Sequence, residues 1–97
     1  MSVNIADLQG WENYRYNDAP YIIKDITLLN GTKGCLAVSY YGITVYHKPF
    51  DFVRLHAEEE SFSLHVEDES EIKDLEGIVS EPDVLESILI LKGLGSL

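Results

Sequence analysis

The sequence predicts a single α+β domain, residues 1–97, in which an antiparallel sheet of four to five strands carries a C-terminal helix on one face and a short N-terminal helix. Two observations lead to this fold class. Runs of β-branched and aromatic residues separated by turn residues fill residues 21–66. An apolar stretch at helical spacing then follows the best helix-start signal of the chain, at residues 80–83.

The first twenty residues predict only short elements. Asn4 and Asp7 have the spacing of an N-cap and an acid in the first turn, so a short helix is expected at residues 4–9. Residues 11–16 are expected to form an extended edge segment. Residues 17–20 end in proline, which disfavours the helical conformation of the residue before it, and they predict a turn.

The next segments predict a sheet. Residues 21–29 are rich in β-branched and aromatic types and form the first predicted strand. The glycine-rich loop at residues 30–34 turns the chain back into a second strand at residues 35–41. After a glycine, residues 43–47 continue as strand until Pro49.

Alternating apolar and polar residues predict a further hairpin between residues 52–57 and 62–66. Leu55 is expected opposite Leu64, because this register gathers the apolar side chains on one face and the polar ones on the other. The predicted core residues of this hairpin and of the C-terminal helix are Val53, Leu55, Phe62, Leu64, Leu85, Ile88 and Leu89.

Helical signals dominate the last third of the chain. Asp68 and Glu71 have capping-box spacing and predict one helical turn. Ser80 is the predicted N-cap of a longer helix that runs to Lys92, with a proline in its first turn. The alternative is that residues 88–91 form a strand.

Charge is distributed unevenly along the chain. Residues 1–50 carry four acids and four bases, whereas residues 51–97 carry thirteen acids and three bases, so the second half holds the whole formal charge of −10. A surface of this kind repels nucleic acid and anionic membranes and attracts basic protein surfaces. We therefore expect no direct binding to nucleic acid and none to membranes.

The function predicted from this charge is a non-catalytic protein-binding module of the inhibitor or immunity-protein type. Its acidic face, residues 58–86, would occupy a basic surface of a partner protein, such as a surface that otherwise binds nucleic acid. One exposed tyrosine from the pairs at 14/16 and 40/41 is expected to act as an anchor. The candidate partner-binding residues are Glu58, Glu59, Glu60, Glu67, Asp68, Glu69 and Glu71.

Two alternative functions remain open. The first is an oligomeric accessory subunit that associates through a strand edge or through the apolar residues 88–94. The second is a small ligand- or metal-binding domain that uses His56 and His65, which the predicted hairpin places on its polar face. Both histidines would need a third ligand from elsewhere.

No catalytic, cofactor-binding or metal-binding motif is present in the sequence. The glycine-rich loop at residues 30–34 lacks P-loop spacing, and no nucleophile elbow occurs. We therefore expect neither enzymatic activity nor a cofactor. Cys35 is the single cysteine and cannot form an internal disulfide, and residues 1–4 lack the basic start of a signal peptide. These features favour a cytoplasmic location.

Overall fold

The computed structural model of the chain describes residues 10–16, 18–56 and 64–94. Three predictions fall outside these residues: the short N-terminal helix at residues 4–9, the core position of Phe62, and the first acidic run, Glu58 to Glu60.

The fold is α+β, as the sequence predicts, and is built on one five-stranded antiparallel sheet with strand order β1-β2-β3-β4-β5. The strands are β1 (Glu12–Tyr16), β2 (Ala19–Thr27), β3 (Lys33–Ser39), β4 (Gly42–Tyr46) and β5 (Leu64–Val66). The helices are α1 (Phe50–Leu55), a 3₁₀ helix (Glu69–Gly77) and α2 (Glu81–Gly93). Each strand pairs with its neighbour in sequence, so the sheet is a meander, and α1 lies in the connection between β4 and β5.

One face of the sheet carries the main core. Ile22 pairs with Val38, Val38 with Ile43, and Ile43 with Val66, so a row of apolar side chains crosses the sheet. The 3₁₀ helix, α2 and the short segment between them cover this row with Leu75, Val79, Val84, Ile90 and Leu91. Full burial of each such side chain contributes about 1.5–3 kcal/mol to folding.

The opposite face carries a smaller cluster around Ile23, Cys35 and Ala37. Helix α1 packs here through Phe50, whose ring meets Tyr14 edge to face with centroids 4.8 Å apart. Because the sheet is covered on both faces, its central strands read as nearly continuous apolar runs.

The predicted hairpin between residues 52–57 and 62–66 is wrong. Residues 50–55 form α1, and β5 pairs with β4 instead, with Leu64 opposite Val45. Leu55 is 71% exposed. A short apolar run fits strand and helix patterns equally well, and here Pro49 occupies the N-cap position of α1.

The structure also explains why a helix begins here. The carboxylate of Asp25 accepts a hydrogen bond from the backbone N–H of Phe50 at 2.8 Å, which satisfies a donor that the first helical turn leaves without a partner. Phe50 and Val53, three residues apart, then face the smaller cluster together. The cap comes from a residue 25 positions earlier in the chain.

Helix α2 is confirmed, and the alternative strand at residues 88–91 is excluded because these residues are helical. The predicted buried side of this helix is only partly correct: Ile88 packs against the main core, but the two leucines do not. Leu85 and Leu89 are 53% and 47% exposed, whereas Ser87 is buried. The Ser87 hydroxyl donates to the carbonyl of Val84 at 2.8 Å, so this polar side chain is satisfied within the helix.

The start of α2 differs from the prediction in one detail. Ser80 occupies the N-cap position, but its hydroxyl donates to the Asp83 carboxylate at 2.9 Å instead of accepting from a backbone N–H. Pro82 lies in the first turn, as predicted.

Candidate protein-binding surface

Two exposed tyrosines form the tip of the β3–β4 hairpin. Tyr40 and Tyr41 make up a two-residue turn between the paired residues Ser39 and Gly42, and they are 67% and 64% exposed. Their rings meet edge to face with centroids 6.0 Å apart. The backbone N–H of Tyr41 donates to the Ser39 hydroxyl at 3.1 Å. Two large aromatic side chains therefore stand at one tight, hydrogen-bonded turn.

Gly42 brings this hairpin tip against the start of the second acidic run. A Cβ atom at Gly42 would overlap the carbonyl oxygen of Val66 and lie 3.2 Å from the Cα atom of Glu67. Ile43 pairs with Val66, so Glu67 follows directly across from Gly42. The tyrosines and the acids are therefore neighbours, and we define the tyrosine–acid surface as Tyr40, Tyr41, Glu67 and Asp68.

Asp68 combines a structural role with its exposed charge. It is the N-cap of the 3₁₀ helix, and its Oδ1 accepts from the Ser70 hydroxyl at 2.6 Å and from the Ser70 backbone N–H at 2.9 Å. These two hydrogen bonds lower the pKa of Asp68 below its usual value. Asp68 therefore carries its full negative charge at neutral pH.

The flanking acids are also held in place. Oε1 of Glu71 accepts from the backbone N–H of Glu67 at 3.4 Å, which is one residue away from the capping-box contact that the sequence predicts. Oε1 of Glu67 lies 3.5 Å from Nε2 of His65, and Nδ1 of His65 lies 2.8 Å from the Thr44 hydroxyl. The carboxylates of Glu67, Asp68 and Glu71 thus each have a defined hydrogen-bond or ion-pair partner near the tyrosines.

Within the predicted acidic set, the described residues divide by exposure. Glu67 and Asp68 are exposed, Glu71 is half-buried, and the backbone of Glu69 begins the 3₁₀ helix. The sequence identified these acids and the tyrosine pairs separately. Their proximity depends on the pairing of β5 with β4. The predicted hairpin instead paired residues 62–66 with residues 52–57, so it could not bring the acids next to the tyrosines.

The two acids at the end of the predicted acidic face turn inward. Asp83 accepts from Nζ of Lys24 at 2.8 Å, and Glu86 accepts from Nε1 of Trp11 at 2.7 Å and lies 3.4 Å from Lys24. Burial lowers the pKa of Lys24, but the hydrogen bond and charge of Asp83, helped by Glu86, outweigh it and raise that pKa. This cluster fastens α2 to the sheet, so its acids are engaged within the fold.

The structure places the two histidines on different elements. His56 ends α1 and stacks on the Phe52 ring with centroids 4.3 Å apart, whereas His65 lies in β5. The hairpin that would have joined them is absent because residues 50–55 are helical. Among the described residues, no group of three or more histidine, cysteine or acidic side chains is arranged to hold a metal ion.

Cys35 is fully buried in the smaller cluster. Burial, together with the charge of Asp25, raises the pKa of its thiol to about 12. The thiolate is the reactive form of cysteine, so Cys35 is a structural residue at neutral pH.

Comparison of this chain with protein-family models, with curated proteins and with solved structures finds no match in any of the three. In the part of the chain that the structure describes, no helix is both long enough and apolar enough to cross a membrane.

Proposed function

We propose that this protein is a non-catalytic binding module of the inhibitor or immunity-protein type, which places its tyrosine–acid surface on a basic surface of a partner protein. One observation carries the proposal: two tyrosines, each about two-thirds exposed, stand at a hairpin tip whose next residue, Gly42, lies against the backbone of Glu67, the first residue of the second acidic run. Exposed aromatic residues at a hairpin turn have no role in the core and are typical binding anchors.

The two residue types serve different parts of binding. Tyrosine buries a large area while losing few rotatable bonds, so it supplies affinity at low entropic cost. The carboxylates supply a field that steers a positively charged partner and raises the association rate. Asp68 stays ionised over a wide pH range because its hydrogen bonds lower its pKa.

The partner that fits this surface has an apolar pocket with a basic rim. A nucleic-acid-binding protein offers such a rim where it contacts phosphates. The chain's formal charge of −10 favours that class of partner over an acidic or neutral one. The first acidic run, Glu58 to Glu60, is proposed to extend the same contact.

The test is affinity capture from the native host at low and high salt with three baits besides the wild type. The double variant Tyr40→Ser/Tyr41→Ser removes the anchors. The double variant Glu67→Gln/Asp68→Asn removes two charges, and its asparagine keeps an N-cap acceptor. A matched control, Glu12→Gln/Asp51→Asn, removes two exposed charges from β1 and α1.

The wild type and the control are expected to capture the partner at low salt and to release it at high salt. Both surface variants are expected to fail to capture it. Equal capture by all four baits would overturn the proposal. Each bait is first checked for a wild-type circular dichroism spectrum and for a melting temperature well above the temperature of the capture, so that loss of capture is not loss of folding.

A further inference from the structure

Helix α2 has a second apolar side that the fold leaves uncovered. Val84, Ile90 and Leu91 pack into the core, while Leu85 and Leu89 lie one turn apart on the opposite side and are about half exposed. A helix that is apolar on both sides is usually covered on both sides. This exposed stripe of α2 consists of Glu81, Leu85, Leu89 and Lys92.

The charges at the two ends of the stripe are opposite. Glu81 lies at its N-terminal end and Lys92 at its C-terminal end, and both are exposed. Neither takes part in the ion pairs between described residues. The stripe is therefore neutral overall, although residues 51–97 carry thirteen acids and only three bases. A second copy of this acidic chain can approach here without meeting an excess of like charge.

From this arrangement we infer that the stripe binds the same stripe of a second copy of this chain, with the two α2 helices antiparallel about a two-fold axis. The midpoint of Leu85 and Leu89 marks the axis. At 1.5 Å per residue, Glu81 lies about 9 Å to one side of the midpoint along the helix and Lys92 about 7.5 Å to the other.

The two-fold axis then sets Leu85 of each copy against Leu89 of the other, and Glu81 against Lys92. Each contact occurs twice, because an isologous interface uses the same patch on both copies. A parallel arrangement would oppose glutamate with glutamate and lysine with lysine. The antiparallel pair is the one that satisfies the apolar and the charged residues together.

The experiment is sedimentation equilibrium of the whole chain over a concentration series. The wild type is expected to reach a mass twice its 11.0 kDa chain. Leu85→Gln/Leu89→Gln is expected to remain monomeric at every concentration. The matched control Leu55→Gln replaces an exposed leucine of α1, on the other face of the sheet, and should dimerise as the wild type does.

Charge reversals test the antiparallel geometry without touching the leucines. Glu81→Lys and Lys92→Glu should each weaken the dimer about tenfold, because each creates two like-charge contacts. The double reversal Glu81→Lys/Lys92→Glu should restore it. An equimolar mixture of the two single variants should also form a dimer, since each variant then meets its complement.

Three outcomes would overturn the inference: a wild type that stays monomeric up to about 1 mM, a dimer that survives Leu85→Gln/Leu89→Gln, or single reversals that the double reversal does not rescue. The tyrosine–acid surface takes no part in this dimer. The variants Tyr40→Ser/Tyr41→Ser and Glu67→Gln/Asp68→Asn should therefore dimerise normally, which keeps this test separate from the proposed function.

Discussion

Gly42 is the residue on which the geometry of the tyrosine–acid surface depends most. It adopts a φ of 127°, which side chains rarely allow, and it lies against the backbone of Val66 and Glu67. Only a residue without a Cβ lets β4 and the end of β5 approach this closely. The hairpin tip and the acidic run are neighbours for that reason.

The variant Gly42→Ala should therefore be more destabilised than Gly31→Ala. Gly31 also has a positive φ, 89°, but a Cβ there meets no atom within 4 Å. Gly31→Ala is expected to lower the free energy of unfolding by about 1–2 kcal/mol through backbone strain alone. Gly42→Ala adds a backbone overlap and should cost more. Urea unfolding of both variants measures the difference. Equal losses of unfolding free energy would contradict the close approach of Gly42 to the backbone of Val66 and Glu67.

Asp68 links pH to stability at the residue scale. Its pKa is lowered in the folded protein, so its ionised form stabilises the fold above the unfolded pKa, and this contribution is lost as pH falls through the folded pKa. The melting temperature of the wild type should exceed that of Asp68→Asn at neutral pH. The two should converge in strong acid, because asparagine keeps the cap but does not ionise. A gap that persists down to about pH 2 would argue against an ionic contribution.

At the scale of elements, the structure turns two leucines of α2 that were predicted to be buried, Leu85 and Leu89, away from the core. Ile90→Ala should lower the free energy of unfolding by about 2–5 kcal/mol, because it leaves a cavity in the main core. The adjacent Leu89→Ala should cost much less when measured in dilute solution, where the chain is monomeric. Denaturant unfolding of the two variants compares the sides directly. A larger loss of unfolding free energy for Leu89→Ala than for Ile90→Ala would contradict the assignment of Ile90 to the core-facing side of α2.

The elements that were predicted correctly are those in which two local sequence features indicate the same secondary structure. The strands β2 to β4 combine β-branched residues with bounded turns, and the start of α2 combines an N-cap residue with a proline. By contrast, α1 spans only six residues and takes its cap from Asp25, which no local pattern could indicate. The buried side of α2 was ambiguous because Leu85 and Leu89 make both sides apolar and because Ser87 satisfies its own hydroxyl.

The acids of the candidate surface could be identified from the sequence, but their position beside the Tyr40–Tyr41 turn could not. A run of acidic residues marks an exposed region by composition alone, and Glu67 and Asp68 are indeed exposed. Their proximity to the Tyr40–Tyr41 turn arises from the pairing of β4 with β5 across a connection of 17 residues, 47–63. Pairings between segments so far apart are set by the whole core and not by local sequence.

At the scale of the whole molecule, the net charge should prevent binding to nucleic acid. A chain with a formal charge of −10 gains no counterion-release free energy from a polyanion. Gel-shift titrations with DNA and RNA at physiological salt are expected to show no complex. Tight binding in that assay would contradict the charge argument on which the proposed function rests.

The charge distribution should control the rate of partner association while leaving stability intact. Glu58, Glu59 and Glu60 changed together to glutamine should keep or slightly raise the melting temperature, because like charges that repel one another are removed. Glu67, Asp68 and Glu69 changed together to amides should leave the melting temperature unchanged in strong acid, where the carboxylates are protonated. At neutral pH the relief of repulsion is offset by the loss of the ionised Asp68 cap, so a small decrease is expected.

Against the captured partner, each triple variant should slow association more than it speeds dissociation. Electrostatic steering acts while the two proteins approach each other, and salt screens this attraction beyond about 8 Å at physiological ionic strength. A salt series of association rates for the wild type and both triple variants makes the measurement, with Glu12→Gln/Asp51→Asn as the charge-matched control. The wild-type rate should fall steeply with salt, the rates of the triple variants less so, and the control should follow the wild type. If association responds neither to salt nor to the triple changes, the acidic face serves only solubility and the proposed binding mode fails.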